Sequence, residues 1–158
     1  MMLTQSDTLE SICDEILNLD SKMMFVGIIN DKGRLLVENK KEGIEVFGDS
    51  KDQEMLLMEI ALGVRMRREH DSYLGQAKFT ISLGDKVISM IFPLCKNILY
   101  IFAEKEIDAL KASLLISQLL EKKIKLEGWF LNYGPDSLDS VDPDSVDWVV
   151  VFVVVLDS

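Results

Sequence analysis

Residues 23–39 read Met-Met-Phe-Val-Gly-Ile-Ile-Asn-Asp-Lys-Gly-Arg-Leu-Leu-Val-Glu-Asn, a sequence in which two short strand-like segments flank a turn. Residues 23–29 form an apolar run that is too short for a helix and suits a strand buried on both faces. Residues 30–33 predict a tight turn in which Gly33 adopts a positive φ. Residues 34–39 read as the returning strand. The stretch therefore predicts an antiparallel hairpin.

Two helices flank this hairpin. Before it, five apolar residues at helical spacing predict an amphipathic helix over 8–19, with Asp7 as its N-cap. Those residues are Leu9, Ile12, Cys13, Ile16 and Leu17. After the hairpin, Asp49 or Ser50 predicts the N-cap of a second helix, which runs to about His70.

The rest of the pattern predicts three strands and a closing helix. Residues 77–83 alternate apolar and polar as a half-buried strand does, and tight turns lead into strands over 87–95 and 98–103. The last strand is apolar throughout, which predicts a central position in the sheet. A helix over 107–126 follows. The order α-β-β-α-β-β-β-α predicts an α+β fold, a five-stranded antiparallel sheet sandwiched by helices.

The composition of the chain argues against several classes of protein. The 158 residues are 48% apolar and carry a net charge of −10, which argues for one domain and against a nucleic-acid surface. The longest apolar run, 148–156, is far shorter than the ~20 residues of a membrane-spanning helix. No leader pattern opens the chain, so we expect a cytoplasmic protein without a membrane partner. The two cysteines, Cys13 and Cys95, match no metal or redox spacing.

Charge marks a boundary near Gly128. Residues 128–158 contain six aspartates and no lysine or arginine, a net charge of −6, whereas residues 1–127 carry −4. We expect 1–127 to fold as one domain without the rest. Residues 136–147 read as an acidic linker. The valine-rich residues 148–156 favour a strand added to a sheet edge; the alternatives are a disordered segment and a non-native extension.

The element order, the hairpin turn at 30–33, the long second helix and the closing three-strand meander resemble the roadblock/dynein light chain family, within the profilin-like and longin-like group. Residues 25–35, and the chain from there through 66–69, are also similar to small uncharacterised archaeal members of that type. The resemblance covers residues 6–126. It implies a non-enzymatic homodimer or heterodimer that serves as a platform for small GTPases or for motor and signalling complexes.

No catalytic, cofactor or metal site is predicted. The chain lacks the phosphate-binding motifs G-x-x-x-x-G-K-[ST] and G-x-G-x-x-G and the nucleophile motif G-x-S-x-G. His70, the single histidine, is either a general base or part of a charged helix end. The second interpretation is favoured because no nucleophile lies beside it in the sequence. We therefore expect a protein that is not an enzyme and takes no cofactor.

The second helix carries two apolar sides. At 100° per residue, one side is expected to lie on the sheet, with Gly63 allowing close approach. This side comprises Leu56, Ile60, Gly63 and Val64. The opposite side predicts a homodimer interface, since an exposed apolar patch marks an interaction site. It comprises Met55, Met58, Leu62 and Met66. The alternative is that loops or the tail of the same chain cover these methionines.

Two further groups of residues are candidates for contact with a partner. Roadblock-like proteins dimerise through this helix and the strand after it, which places Phe79 and Ile81 in the interface. GTPase-activating proteins can supply an arginine to their partner, so Arg65 and Arg68 are candidate partner contacts. The alternative for both arginines is a solvated end that complements the helix dipole.

Two functions remain open. The first is a dimeric interaction or scaffold module that docks or regulates a small GTPase or a signalling complex. The second is a small-molecule sensor with a pocket between sheet and helix. An exposed apolar helix indicates the first, and an enclosed apolar pocket indicates the second.

Overall fold

The computed structural model describes residues 5–45, 48–127 and 151–155. Within these ranges the elements follow one another as α1 (Gln5–Leu17), β1 (Met23–Asn30), β2 (Leu35–Lys40), α2 (Ser50–Arg68), α3 (Asp71–Leu74), β3 (Phe79–Leu83), β4 (Val87–Pro93), β5 (Asn97–Glu104), α4 (Ala109–Glu127) and β6 (Val151–Val155). No helix in the described part of the chain is both long enough and apolar enough to cross a membrane.

The strands form one sheet in the order β2-β1-β5-β4-β3-β6. The first five strands of the chain pair antiparallel throughout, which confirms the predicted α+β fold. β5 lies between β1 and β4, and all of its residues but the last are buried, which confirms its predicted central position. β6 is a sixth strand, added parallel to the outer edge of β3. The acidic linker predicted at 136–147 lies outside the described residues.

The sheet separates two apolar clusters. On one face, α1 and α4 pack against the sheet through residues that include Cys13, Ile16 and Ile116, which are fully buried. On the other face, α2 packs through Leu57, Ile60, Ala61 and Val64 onto the aromatic side chains of β1 and β5. The sheet is therefore covered by two long helices on one face and by one on the other.

The first hairpin forms as predicted. Gly33 adopts a φ of 85°, which glycine tolerates at no steric cost. The Asn30 side-chain oxygen accepts hydrogen bonds from the backbone N–H groups of Lys32 (3.0 Å) and Arg34 (2.9 Å), which closes the turn. A Cβ on Gly33 would lie 3.0 Å from the backbone of Leu57 and Met58, so this turn also abuts α2.

The helix ends differ from prediction in two places. Asp7 lies inside α1, because that helix extends to Gln5, so Asp7 is not its N-cap. Asp49 is the N-cap of α2, as predicted, and the reciprocal partner in its capping box is Asp52. α2 ends at Arg68, two residues before the predicted end near His70. The short α3 follows and ends at Leu74, where Gly75 is the C-cap with a φ of 80°.

Candidate functional site

The outer side of α2 presents four large apolar side chains. Met55 and Met58 are each 62% exposed, Leu62 is 54% exposed and Met66 is 60% exposed. We call these four residues the methionine face. They occupy the side of the helix opposite Leu57, Ile60, Ala61 and Val64, which are buried on the sheet. No loop in the described part of the chain buries the methionine face.

The rotation of α2 differs from the predicted one. Gly63 is exposed, and a Cβ at this position would meet open space, so Gly63 does not mediate close approach to the sheet. Leu56 is only partly buried, at the rim of the α2 cluster. Leu57 and Ala61 contact the sheet in their place. The helical wheel could not fix this rotation because α2 is apolar around most of its circumference.

Phe79 and Ile81 do not lie with the methionine face. They are 0% and 4% exposed and belong to the cluster that packs against α1 and α4, on the sheet face opposite α2. Their side chains are therefore inside the protomer and unavailable to a partner, which corrects the predicted interface. The outer backbone edge of β3 pairs with β6.

The arginines at the end of α2 bind turns of the same chain. The Arg65 guanidinium donates to the carbonyl oxygen of Asp31 (3.4 Å), in the β1–β2 turn. The Arg68 guanidinium donates to the carbonyl oxygen of Leu94 (2.6 Å), after β4. Both side chains thus help to position α2 over the sheet, and their charges complement the negative end of the helix dipole.

Part of the α2 side of the sheet is half-buried. Thr80 and Ser82 of β3 and Ser89 and Ile91 of β4 point to this face, since Thr80 pairs with Ile91 and Ser82 with Ser89. The sequence carried a signal for this strip, because Thr80 and Ser82 alternate with the buried residues of β3. The strip extends the accessible surface beside α2.

His70 and one polar groove are the positions to consider for reactive or ligand-binding chemistry among the described residues. No group of three or more metal-ligating side chains occurs among them. His70 lies between α2 and α3 and contacts the Tyr73 hydroxyl, and both residues are exposed. An open groove between α1 and β2 is lined by polar residues, namely Glu10, Ser11, Asp14, Glu38 and Asn39. The groove is acidic, and all five residues that line it are polar.

The space between α2 and the sheet is filled by aromatic residues. The Tyr100 ring lies 5.3 Å from the ring of Phe25, centre to centre, and 6.0 Å from that of Phe102. The Tyr100 hydroxyl is buried without a hydrogen-bond partner among the described residues. Burial, with a smaller contribution from the charge of Glu38, raises the pKa of Tyr100. The residue is therefore a neutral part of the core.

The sequence did not single out the exposed leucines of α4. Leu110, Leu114 and Leu115 are 48%, 39% and 47% exposed, on the opposite side of the molecule from α2. The predicted closing helix was rich in leucine, but the pattern did not separate its buried from its exposed positions.

A comparison with protein-family models matches most of the chain. Residues 3–130 match the model of a family of unknown function, DUF6659. No curated protein matches the chain at a significant level.

Solved structures share the fold. A roadblock/LC7 domain from Streptomyces avermitilis superposes with a TM-score of 0.57 and 10% identity, over 73% of this chain and 93% of that one. Myxococcus xanthus MglB gives a TM-score of 0.54 and 14% identity, over 77% and 94%. MglC from Myxococcus xanthus gives 0.52 and 10%, over 76% and 98%. The roadblock fold expected from the sequence is thereby confirmed.

Proposed function

The chain belongs to the DUF6659 family, and we propose that it is a non-enzymatic interaction module that forms a homodimer through the methionine face of α2. The observation that carries the proposal is the exposure of four large apolar side chains on one side of one helix. An exposed apolar patch of this kind marks an interaction surface in soluble proteins.

A second copy is the simplest partner for this face. Burying apolar surface contributes roughly 25 cal/mol per Å², and a two-fold axis places the same patch on both sides of the contact. Methionine side chains adapt to one another because they are unbranched and flexible. Thr80, Ser82 and Ser89, beside α2, supply the polar rim that such interfaces have.

The role that fits the dimer is to dock or regulate a small GTPase or a signalling complex. This role is the one that the resemblance to the roadblock family implies. The basic end of α2, with Arg65 and Arg68, is the surface that we assign to that partner. Arg65 is exposed and its bond to Asp31 is long, so it can exchange that carbonyl for an acidic group of a partner.

Small-molecule sensing receives less support. A sensor needs an enclosed apolar pocket between sheet and helix. Here Phe25, Tyr100 and Phe102 fill the space beneath α2. The groove between α1 and β2 is polar and open. We therefore retain the interaction module as the proposed function.

Light scattering at micromolar concentration tests the dimer. The full chain should have the mass of a dimer, and Met58→Glu or Leu62→Glu should convert it to a monomer by placing a carboxylate in the apolar contact. Leu110→Glu is the matched control, since Leu110 is 48% exposed on α4 and Leu62 is 54% exposed on α2. This variant should remain a dimer. A monomeric unmodified chain contradicts the proposal, and so do charged α2 variants that leave the dimer intact.

A nucleotide assay tests the non-enzymatic part. The protein alone should not hydrolyse GTP or ATP, because its sequence has no phosphate-binding loop motif. Turnover above background that disappears when a single residue is changed would overturn this part of the proposal.

A further inference from the structure

The outer edge of β3 is occupied by a segment from the far end of the chain. Val151–Val155 pair with Phe79–Leu83 in parallel, residue for residue and over all five positions. The 23 residues between α4 and β6 exceed the dozen or so that a parallel connection requires. One chain can therefore make this pairing within itself.

Without β6, β3 would be an unprotected edge strand. Its sequence Phe-Thr-Ile-Ser-Leu contains no charged residue and no proline, the two features that usually prevent an edge from pairing with another chain. Because Phe79 and Ile81 are anchored in the core, the strand is held in an extended conformation. The backbone groups of alternate residues point to β4, and the others point to the outer edge. Such an edge accepts an added strand through its main chain.

The sequence of β6 suits this role. Val-Phe-Val-Val-Val consists of β-branched and aromatic residues, which favour strands. In the sequence, Asp147 precedes the strand and Asp157 follows it. Charged residues that flank an aggregation-prone strand reduce its association with other chains. The segment also lies beyond the shared fold, since the family match ends at residue 130.

We propose that Val151–Val155 is an intramolecular edge strand that docks on β3 and closes this edge against a second copy of the chain. The site on β3 is an acceptor for an extended apolar strand, and its occupant is the C-terminal segment of the same molecule. Docking leaves the methionine face as the surface for self-association. Release of β6 exposes unpaired backbone groups on both β3 and β6, so each strand can then pair with another chain. The proposal does not depend on the proposed homodimer.

Paired cysteines test the docking and its register. In a Cys95→Ser background, the full chain carrying Ser82→Cys and Val154→Cys places two thiols at directly paired positions. The matched control carries Ser82→Cys and Val155→Cys, two positions that are offset by one residue from the paired register. Mild oxidation should form a disulfide within one chain, about tenfold faster in the paired variant than in the control. Cys13 is buried and does not compete.

Each outcome of this experiment is decisive. A monomer-sized disulfide product specific to the paired variant supports the proposal. A disulfide-linked dimer shows that β6 docks on a second copy, which overturns closure within one chain. Equal rates of disulfide formation in the paired variant and the control overturn the proposed pairing of β6 with β3. Performing the oxidation in a Met58→Glu background separates the result from association through α2.

Hydrogen exchange gives an independent measurement. Alternate residues of a strand direct their N–H groups to opposite edges, so prolines at both 153 and 154 remove at least one hydrogen bond to β3. Val153→Pro with Val154→Pro should raise the exchange rate of the amides in 79–83 and increase the mass of the particle at high protein concentration. Val153→Thr with Val154→Thr keeps the β-branched shape and should preserve protection. Unchanged exchange in the proline variant overturns the proposal.

Discussion

Gly27 shows how one residue controls the packing beneath α2. A Cβ built on Gly27 would lie 2.6 Å from the Cζ atom of Tyr100, on the neighbouring strand. Real Cβ atoms do not approach other atoms so closely, so any side chain here must displace the buried phenol. Gly27 therefore creates the space into which Tyr100 packs.

Gly27→Ala should lower the free energy of unfolding by about 1–3 kcal/mol, because overpacking a close-packed core forces side chains out of their preferred rotamers. Gly63→Ala is the matched control. Gly63 is exposed in α2 with open space around it, so alanine there should be neutral or stabilise the protein by up to ~1 kcal/mol. Urea unfolding measures both. Equal effects of the two substitutions would contradict the Gly27–Tyr100 contact.

The buried Cys13 thiol makes the free energy of unfolding vary with pH in the alkaline range. Burial, followed by the charges of Asp14 and Glu10, raises the pKa of the Cys13 thiol from 9.0 to about 12. Since the folded pKa lies above the unfolded one, the stabilisation is complete below pH 9 and is lost as the pH rises toward 12. We expect Cys13→Ala to flatten the decline of unfolding free energy with pH in this window, as measured by urea unfolding.

Thiol labelling checks the same environment. At pH 8 the folded protein should expose one reactive thiol, Cys95, which is partly accessible. Cys13 should react only when the chain unfolds, because the thiolate is the reactive species and burial suppresses it. Two thiols that label at equal rates in the folded protein would contradict the buried position of Cys13.

At the scale of elements, the start of α2 is stabilised locally. The Asp49 side chain accepts a hydrogen bond from the N–H of Asp52 (2.9 Å), and the Asp52 side chain accepts one from the N–H of Asp49 (3.1 Å). Asp49→Ala should cost about 1 kcal/mol of unfolding free energy, since a helix N–H loses its partner. Ser50→Ala, one residue along, should cost less. Thermal unfolding compares the two, and an equal cost would argue against the capping box.

Elements encoded by local signals were predictable from the sequence. The Asn30–Gly33 turn, the Asp49 cap and the continuous apolar run of β5 each depend on residues within a few positions of one another. The rotation of α2 was not predictable, because Leu56 and Leu57 are equivalent on a helix that is apolar nearly all round. The position of Phe79 and Ile81 depends on which helices cover each face of the sheet, and this is a property of the whole fold.

In the candidate site, too, the features set by local sequence were predictable and those set by distant contacts were not. The methionine face was predictable because helical periodicity places Met55, Met58, Leu62 and Met66 together whatever the rotation of the helix relative to its neighbours. The bonds of Arg65 and Arg68 to turns were not, since each joins residues at least 26 positions apart. The parallel pairing of β6 with β3 is similarly non-local. The valine-rich composition predicted a strand without identifying its partner.

At the scale of the molecule, both apolar clusters that the structure describes are built from residues within the first 127. The buried members of both apolar clusters fall between Leu9 and Leu120. Every antiparallel pairing of the sheet also lies in this range. β6 pairs with β3 at one edge of the sheet. The free energy of folding should therefore come chiefly from residues 1–127.

We expect residues 1–127, expressed alone, to fold into the same α+β domain. Its circular dichroism spectrum should show the helices and the five antiparallel strands of the full chain, and its thermal unfolding should remain cooperative, because the described members of both clusters lie within 1–127. The uncovered β3 edge should make this shorter chain self-associate more strongly as its concentration rises. The effect should be absent from the full chain at the same concentration. An insoluble or unfolded product would show that the tail contributes to the core, contrary to the domain boundary near Gly128.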